Sequence, residues 1–133
     1  MSSKRVLVCD DEPHIVHVVA AKLRNAGIEV YTASNGQEAF ELAKAHVPHL
    51  VFTDYQMPFL SGLELCAKMR SDSTTCNIPA VMLTARGFSL AEHDLADTNI
   101  RKVLVKPFSP RELLRIAQEI LGIKSTPSEV SLA

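Results

Sequence analysis

Short runs of β-branched and apolar residues alternate with stretches of helical periodicity along almost the whole of this 133-residue chain. The runs fall near residues 4–9, 28–33, 49–53, 79–83 and 102–105. Helical patterns lie near 13–26, 35–46, 61–71, 88–97 and 109–121. Ile15, Val18, Val19 and Leu23 recur at helical spacing, as do Leu113, Ile116, Ala117 and Ile120. Five strand–helix units in strict alternation leave few options. Each strand must return parallel through a right-handed crossover, so an α/β protein is expected, a doubly wound five-stranded parallel sheet with helices on both faces.

Punctuation agrees with that reading. Pro13 suits a first helical turn, and Gly27 suits the residue just past a helix end. Ser61-Gly62-Leu63-Glu64 and Ser109-Pro110-Arg111-Glu112 both read as capping boxes. The runs at 4–9 and 79–83 are nearly all apolar, as central strands buried on both faces should be.

In open sheets of this kind ligands bind beyond the carboxyl ends of the strands, where the strand order reverses. Asp10 and Asp11 close the first apolar run, Asp54 closes the third, Thr84 follows the fourth and Lys106 the fifth. Five polar residues are thus expected at one sheet edge. Three carboxylates there repel one another and call for a cation. Oxygen donors without organised His or Cys favour a hard ion, and Mg2+ fits best. Lys106 offers a point charge for a phosphate and Thr84 a hydroxyl. One carboxylate could then be a nucleophile, since aspartyl phosphates are an established covalent intermediate. Plainer roles exist for single members, such as helix N-terminal acids for Asp10 and Asp11 or a turn residue for Thr84, but none explains the set.

Bulk properties exclude several classes. The formal net charge is -1 with a pI near 6.5, so no electrostatic footprint for direct contact with nucleic acid is expected. No apolar stretch approaches membrane-spanning length and no signal-peptide core is evident, so a cytoplasmic protein is expected. Cys9, Cys66 and Cys76 match no zinc or redox spacing and read as reduced, mostly buried thiols. His14 and His17 read as a solvated helix face, and His46 and His49 as loop residues around Pro48.

The ordered set of Asp10-Asp11, Asp54 with Met57-Pro58 and Gly62, Thr84-Ala85, and Lys106-Pro107-Phe108 resembles the receiver domain of two-component response regulators. The resemblance covers about residues 4–121. It implies a flavodoxin-like (βα)5 fold with strand order 2-1-3-4-5. It further implies that Asp54 is a phosphoacceptor, taking a phosphoryl group from a sensor histidine kinase or phosphotransfer protein. Asp11, Asp54 and the backbone carbonyl of Gln56 would ligate Mg2+, with Asp10 acting largely through water. Lys106 and Thr84 would contact the phosphate, and the Lys106–Pro107 bond would be cis, a rare and position-setting feature. Gln56 and Arg86 would flank the acyl phosphate and bear on its lifetime. A downstream effector would dock on the 88–121 face.

Three positions depart from the family pattern. Val103 stands where many receivers have Tyr or Phe, and a β-branched aliphatic cannot swing a ring between buried and exposed states. Arg101-Lys102 stand where many transcription regulators have acids, so their usual dimer should be disfavoured by like charge. Asn99 stands at a helix end where Gly is usual, and is expected to take the left-handed conformation.

The expected organisation is a receiver domain over residues 1–122 and a flexible tail over 123–133. The expected function is a phosphorelay response regulator rather than an enzyme, with self-catalysed phosphotransfer and dephosphorylation at most. The alternative is a phosphorylation-independent, receiver-like interaction module. Flavin-binding or phosphatase chemistry is disfavoured, because Asp10-Asp11-Glu12 would repel a phosphate and the acids are adjacent rather than spaced D-x-D.

Overall fold

The computed structural model describes residues 4–85 and 98–123. Within them lie five strands: β1 (Arg5–Cys9), β2 (Glu29–Ala33), β3 (Leu50–Asp54), β4 (Ala80–Thr84) and β5 (Ile100–Val105). Four helices accompany them: α1 (Pro13–Asn25), α2 (Gly36–His46), α3 (Gly62–Arg70) and α4 (Pro110–Leu121). Every strand falls within two residues of its expected place. The expected helix at 88–97, Arg86 and the tail beyond residue 123 lie outside the described residues.

All strands are parallel, in the order β2-β1-β3-β4-β5. The chain runs outward from β1 to β2 and then crosses back to β3, so the order reverses between β1 and β3. Every residue of β3 and β4 is buried, as both faces of a central strand should be. The sheet separates two apolar clusters. One joins Val6, Val8, Phe52, Val81 and Leu83 to Val19 and Leu23 of α1 and to Leu113, Ile116 and Ala117 of α4. The other joins Leu7, Cys9, Val51 and Met82 to Ala39 and Ala43 of α2 and to Leu65, Cys66 and Met69 of α3. Each fully buried Leu, Ile or Phe here contributes about 1.5–3 kcal/mol. Such a core outweighs the cost of a few crowded charges at one edge.

Local chemistry sets the ends. Pro13 opens α1, and Gly27, with φ 86°, takes the left-handed turn just past it. Ser61 and Glu64 form the reciprocal capping box of α3. The second expected box is half formed: Ser109 Oγ accepts from the Glu112 N–H at 3.0 Å, and Pro110 occupies the first turn. Left-handed backbone also occurs at Val47, the residue just past α2, and at Phe59.

Asn99 departs from its expected left-handed conformation, since it is not among the described residues with positive φ. Its side chain reaches the Ile78 carbonyl instead, while its own carbonyl accepts from the Ala80 N–H at 2.9 Å. Two bonds to the β4 entry thus replace the turn. His46 is also no loop residue: it ends α2 and stacks on Tyr31 at 4.1 Å between ring centroids. His49 Nδ1 accepts the backbone N–H of Arg5 at 3.0 Å. At the β5 edge the pairing slips by one residue between Ala80 and Val81, and Arg101 and Lys102 are both exposed.

Candidate functional site

β1 pairs with β3 so that Cys9 faces Thr53. The next residues of each strand, Asp10 and Asp54, therefore emerge level with each other beside the point of order reversal. β4 brings Leu83 against Asp54, and β5 brings Val105 against Thr84. Lys106 follows at once, its backbone N–H held by the Thr84 carbonyl at 2.7 Å. Strand register alone carries four of the expected residues to one place.

The Lys106 ammonium joins three acids. Its Nζ lies 3.0 Å from Asp10 Oδ2, 3.1 Å from Asp54 Oδ1 and 3.0 Å from Glu12 Oε1. Asp10 is 1% exposed and Asp54 7%, whereas Asp11 and Glu12 are exposed. Asp10 Oδ1 also accepts the Glu12 N–H at 3.0 Å, which turns the chain into α1. Glu12 was not among the expected site residues. Its sole signal in the sequence is its place beside the acidic pair, ahead of Pro13.

Burial raises the Asp10 carboxyl above the usual carboxylate range, against the pull of its bonds to Glu12 N–H and Lys106. Asp54 is raised as well, by burial and then by the charge of Asp10, with Lys106 opposing. Burial works against the charge of Lys106, but hydrogen bonds to Asp10, Glu12 and Asp54 outweigh it and hold the ammonium above its ordinary value. The lysine stays charged. The acids around it are the strained partners.

The oxygen donors suit a hard cation. Carboxylate oxygens of Asp10, Asp11 and Glu12 lie within 4.8 Å of one another. Asp10 Oδ2 is buried, and the partner described for it is the Lys106 ammonium at 3.0 Å. One ammonium shared among Asp10, Glu12 and Asp54, with Asp11 beside them, leaves a surplus of negative charge on oxygen donors, which fits Mg2+. Asp11 also lines an open cleft of ≈ 530 Å³ with Tyr55, Gln56, Met57, Pro58 and Ser61.

The loop carrying Gln56 is fixed from below. Met57 Sδ takes the Cys9 thiol at 3.0 Å, with Thr53 Oγ1 at 3.9 Å. Burial pushes the Cys9 thiol up to about 12, which keeps it protonated and inert, as a small hydrophobe of the strand should be. Gly62 lies so close to β3 that a Cβ would sit 2.2 Å from the Asp54 carbonyl oxygen. Thr84, at the end of β4, is 2% exposed. The Lys106–Pro107 peptide is cis. Val103 is half-buried against the cluster on the α2 and α3 side.

Comparison with known proteins matches this arrangement. Residues 6–118 match the response regulator receiver domain family. The chain is 34% identical to the phosphate regulon transcriptional regulatory protein PhoB of Pseudomonas aeruginosa, over 98% of its own length and 59% of that protein's. It is 34% identical to the transcriptional regulatory protein SrrA of Staphylococcus aureus, over 97% of this chain and 53% of the relative. The chain thus spans about half the length of the curated relatives it matches. Among solved structures, the chemotaxis response regulator CheY4 of Vibrio cholerae superposes with TM-score 0.81 at 31% identity, covering 90% of this chain and 99% of that one. The receiver domain of a Pseudomonas aeruginosa sensor histidine kinase, which has a magnesium ion coordinated in its active site cleft, gives TM-score 0.80 at 26% identity, covering 91% and 99%. With the strand order, the acid cluster and its lysine in the family's sequence order, the chain belongs to the response regulator receiver domain family.

Proposed function

We propose that this chain is a phosphorylation-dependent switch in which Asp54 accepts a phosphoryl group from the phosphohistidine of a sensor kinase or phosphotransfer protein. The observation that carries this reading is the Lys106 ammonium, held 3.1 Å from Asp54 at the mouth of an acid cluster. An Asp54 oxygen attacks phosphorus, the phosphorus–nitrogen bond breaks, and its electron pair leaves with the imidazole. The product is an acyl phosphate on Asp54. Lys106 keeps its proton throughout and can move from the carboxylates to the phosphoryl oxygens as their charge develops. The Thr84 hydroxyl, at the adjacent strand end, is assigned to the same oxygens.

Asp11, Asp54 and the Gln56 carbonyl would hold Mg2+ directly, with Asp10 acting through water. When bound, the ion supplies neutralisation of charge on phosphate and carboxylate alike. Gln56 is exposed at the loop edge and suits control of access by the attacking water. Arg86 lies outside the described residues, and by the family resemblance it is assigned to the same control of acyl phosphate lifetime.

The donor needs a place to dock. A groove of ≈ 570 Å³ runs from Lys106 between α1 and the following loop, lined by Ile15, Val18, Val19, Pro107 and Phe108. We assign this groove to the phosphohistidine-bearing partner and the 88–121 face away from it to the effector. The receiver unit is assigned to residues 1–122. A cytoplasmic switch accords with the absence of any described helix long and apolar enough to cross a membrane. The relatives' identity as transcriptional regulators suggests an output in gene control, while the near-neutral charge of this chain offers nucleic acid no direct footprint.

One experiment tests the reading. The intact protein is incubated with Mg2+ and a small acyl phosphate, and its mass is compared with that of Asp54→Asn. A single labile phosphoryl adduct on wild type alone supports the switch. No adduct on folded protein that binds Mg2+ would move the assignment to a phosphorylation-independent module, the reading that Val103 favours.

A further inference from the structure

The loop after Asp54 carries a feature that phosphoryl chemistry does not use. Phe59 is 85% exposed, the most exposed of the three large hydrophobic side chains described at the surface. Its φ is 71°, in the left-handed region that glycine and asparagine tolerate and bulky residues avoid. A ring in water gains little burial in return for that backbone. Strain of this kind clusters at active sites, ligand clamps and switch regions.

The loop is clamped on both sides of the ring. A Cβ on Gly36 would lie 2.3 Å from the Leu60 carbonyl oxygen, so α2 and the loop touch backbone to backbone. The Gly62 N–H is held by the Tyr55 carbonyl at 2.8 Å. Phe59 is therefore held out at a fixed position.

Its surroundings are acidic. The ring borders an open depression of ≈ 560 Å³ lined by Ser34, Asn35, Gln37, Glu38 and Glu41. Glu38 Oε1 accepts from the Ser34 N–H at 2.9 Å and from its hydroxyl at 3.2 Å. Glu41 Oε2 takes the Gln37 amide at 3.3 Å. Among the lining residues the charges are these two carboxylates, with no cation to balance them. An aromatic face beside two anchored carboxylates is complementary to guanidinium, which stacks on a ring while donating to carboxylates.

We propose that Phe59, with Glu38 and Glu41, is a docking point for an arginine-bearing segment of a partner protein. The point is separate from the acid cluster and does not depend on phosphoryl transfer to Asp54. A lysine-bearing segment fits less well, because an ammonium cannot stack and fork at once.

Nuclear magnetic resonance titration tests this with a short amidated peptide of alternating alanine and arginine, in Mg2+ sufficient to occupy the acid cluster. The lysine and glutamate counterparts serve as comparisons. Saturable shifts at the Phe59 ring and the side chains of Glu38 and Glu41 are expected, strongest for the arginine peptide. Phe59→Gly, which suits the left-handed backbone and should fold, is expected to weaken binding about threefold to fivefold, and Glu41→Gln to weaken it as well. Shifts confined to Asp10, Asp11 and Asp54, equal binding by Phe59→Gly, or no shifts at all would overturn the proposal.

Discussion

The Lys106 ammonium stands 3.1 Å from Asp54 and only 3.0 Å from Asp10, so one cation answers two buried carboxylates. Burial raises both carboxyls, and Asp10 raises Asp54 further. A raised carboxyl favours the folded state fully below its unfolded pKa of about 3.9 and loses that contribution as pH rises through the folded value. Asp54→Asn should therefore be more stable than wild type at neutral pH without divalent ions, by about 1 kcal/mol, and the gain should vanish in acid. Urea unfolding of both proteins across that range is the check. Lys106→Met should do the reverse at neutral pH and cost about 3 kcal/mol, because it strands the acids.

Divalent cations should stabilise what repulsion weakens. Mg2+ at a hundred times its dissociation constant should add about 2.7 kcal/mol to wild type. Thermal melts with Mg2+ and with chelator read this directly. Asp11→Asn should lose most of the shift, and an unchanged shift would remove Asp11 from the cation site.

Gly62 supports the site through space it does not fill. An alanine there would place its Cβ 2.2 Å from the Asp54 carbonyl oxygen and 3.0 Å from Met82 Sδ. Gly62→Ala should cost about 2–3 kcal/mol and slow acyl phosphate labelling of Asp54, because the β3 end must shift. Wild-type stability in the variant would show that the loop can yield.

His49 should give an acid-side signal of its own. Its ring is held below the usual histidine value by burial and by Arg5 and Lys4, and it accepts a backbone bond only when neutral at Nδ1. That contribution is present above about pH 6.5 and is lost as pH falls through the lower folded value. Stability of wild type relative to His49→Gln should drop on acidification through that window. The difference between the two proteins isolates it from the carboxylates, whose sign is opposite.

Val47 caps the C-terminus of α2 with φ 44°, a conformation a β-branched residue resists. Val47→Gly should raise the urea midpoint, with a net gain of about 0.5–1 kcal/mol after the larger unfolded-state entropy of glycine. A lower midpoint would mean that the half-exposed side chain does more than its surroundings suggest.

Much of this architecture was legible because it repeats. Strand positions follow from alternation, and Asp10, Asp54, Thr84 and Lys106 follow from their places at strand ends. What escaped reading depends on partners distant in sequence. Glu12 meets Lys106 across 94 positions, and His46 meets Tyr31 only once α2 lies beside β2. The left-handed turns at Val47 and Phe59 were hidden for a different reason. Neither residue type advertises that backbone, and only the surrounding contacts impose it.

The slipped pairing of β5 has a consequence for how these molecules behave in a crowd. A strand from a neighbouring molecule, laid along this outer edge of the described sheet, would meet hydrogen-bonding groups out of step and two adjacent positive charges, Arg101 and Lys102. Sheet growth from molecule to molecule is thereby discouraged on that side, and the protein should tolerate high concentration without forming fibres there.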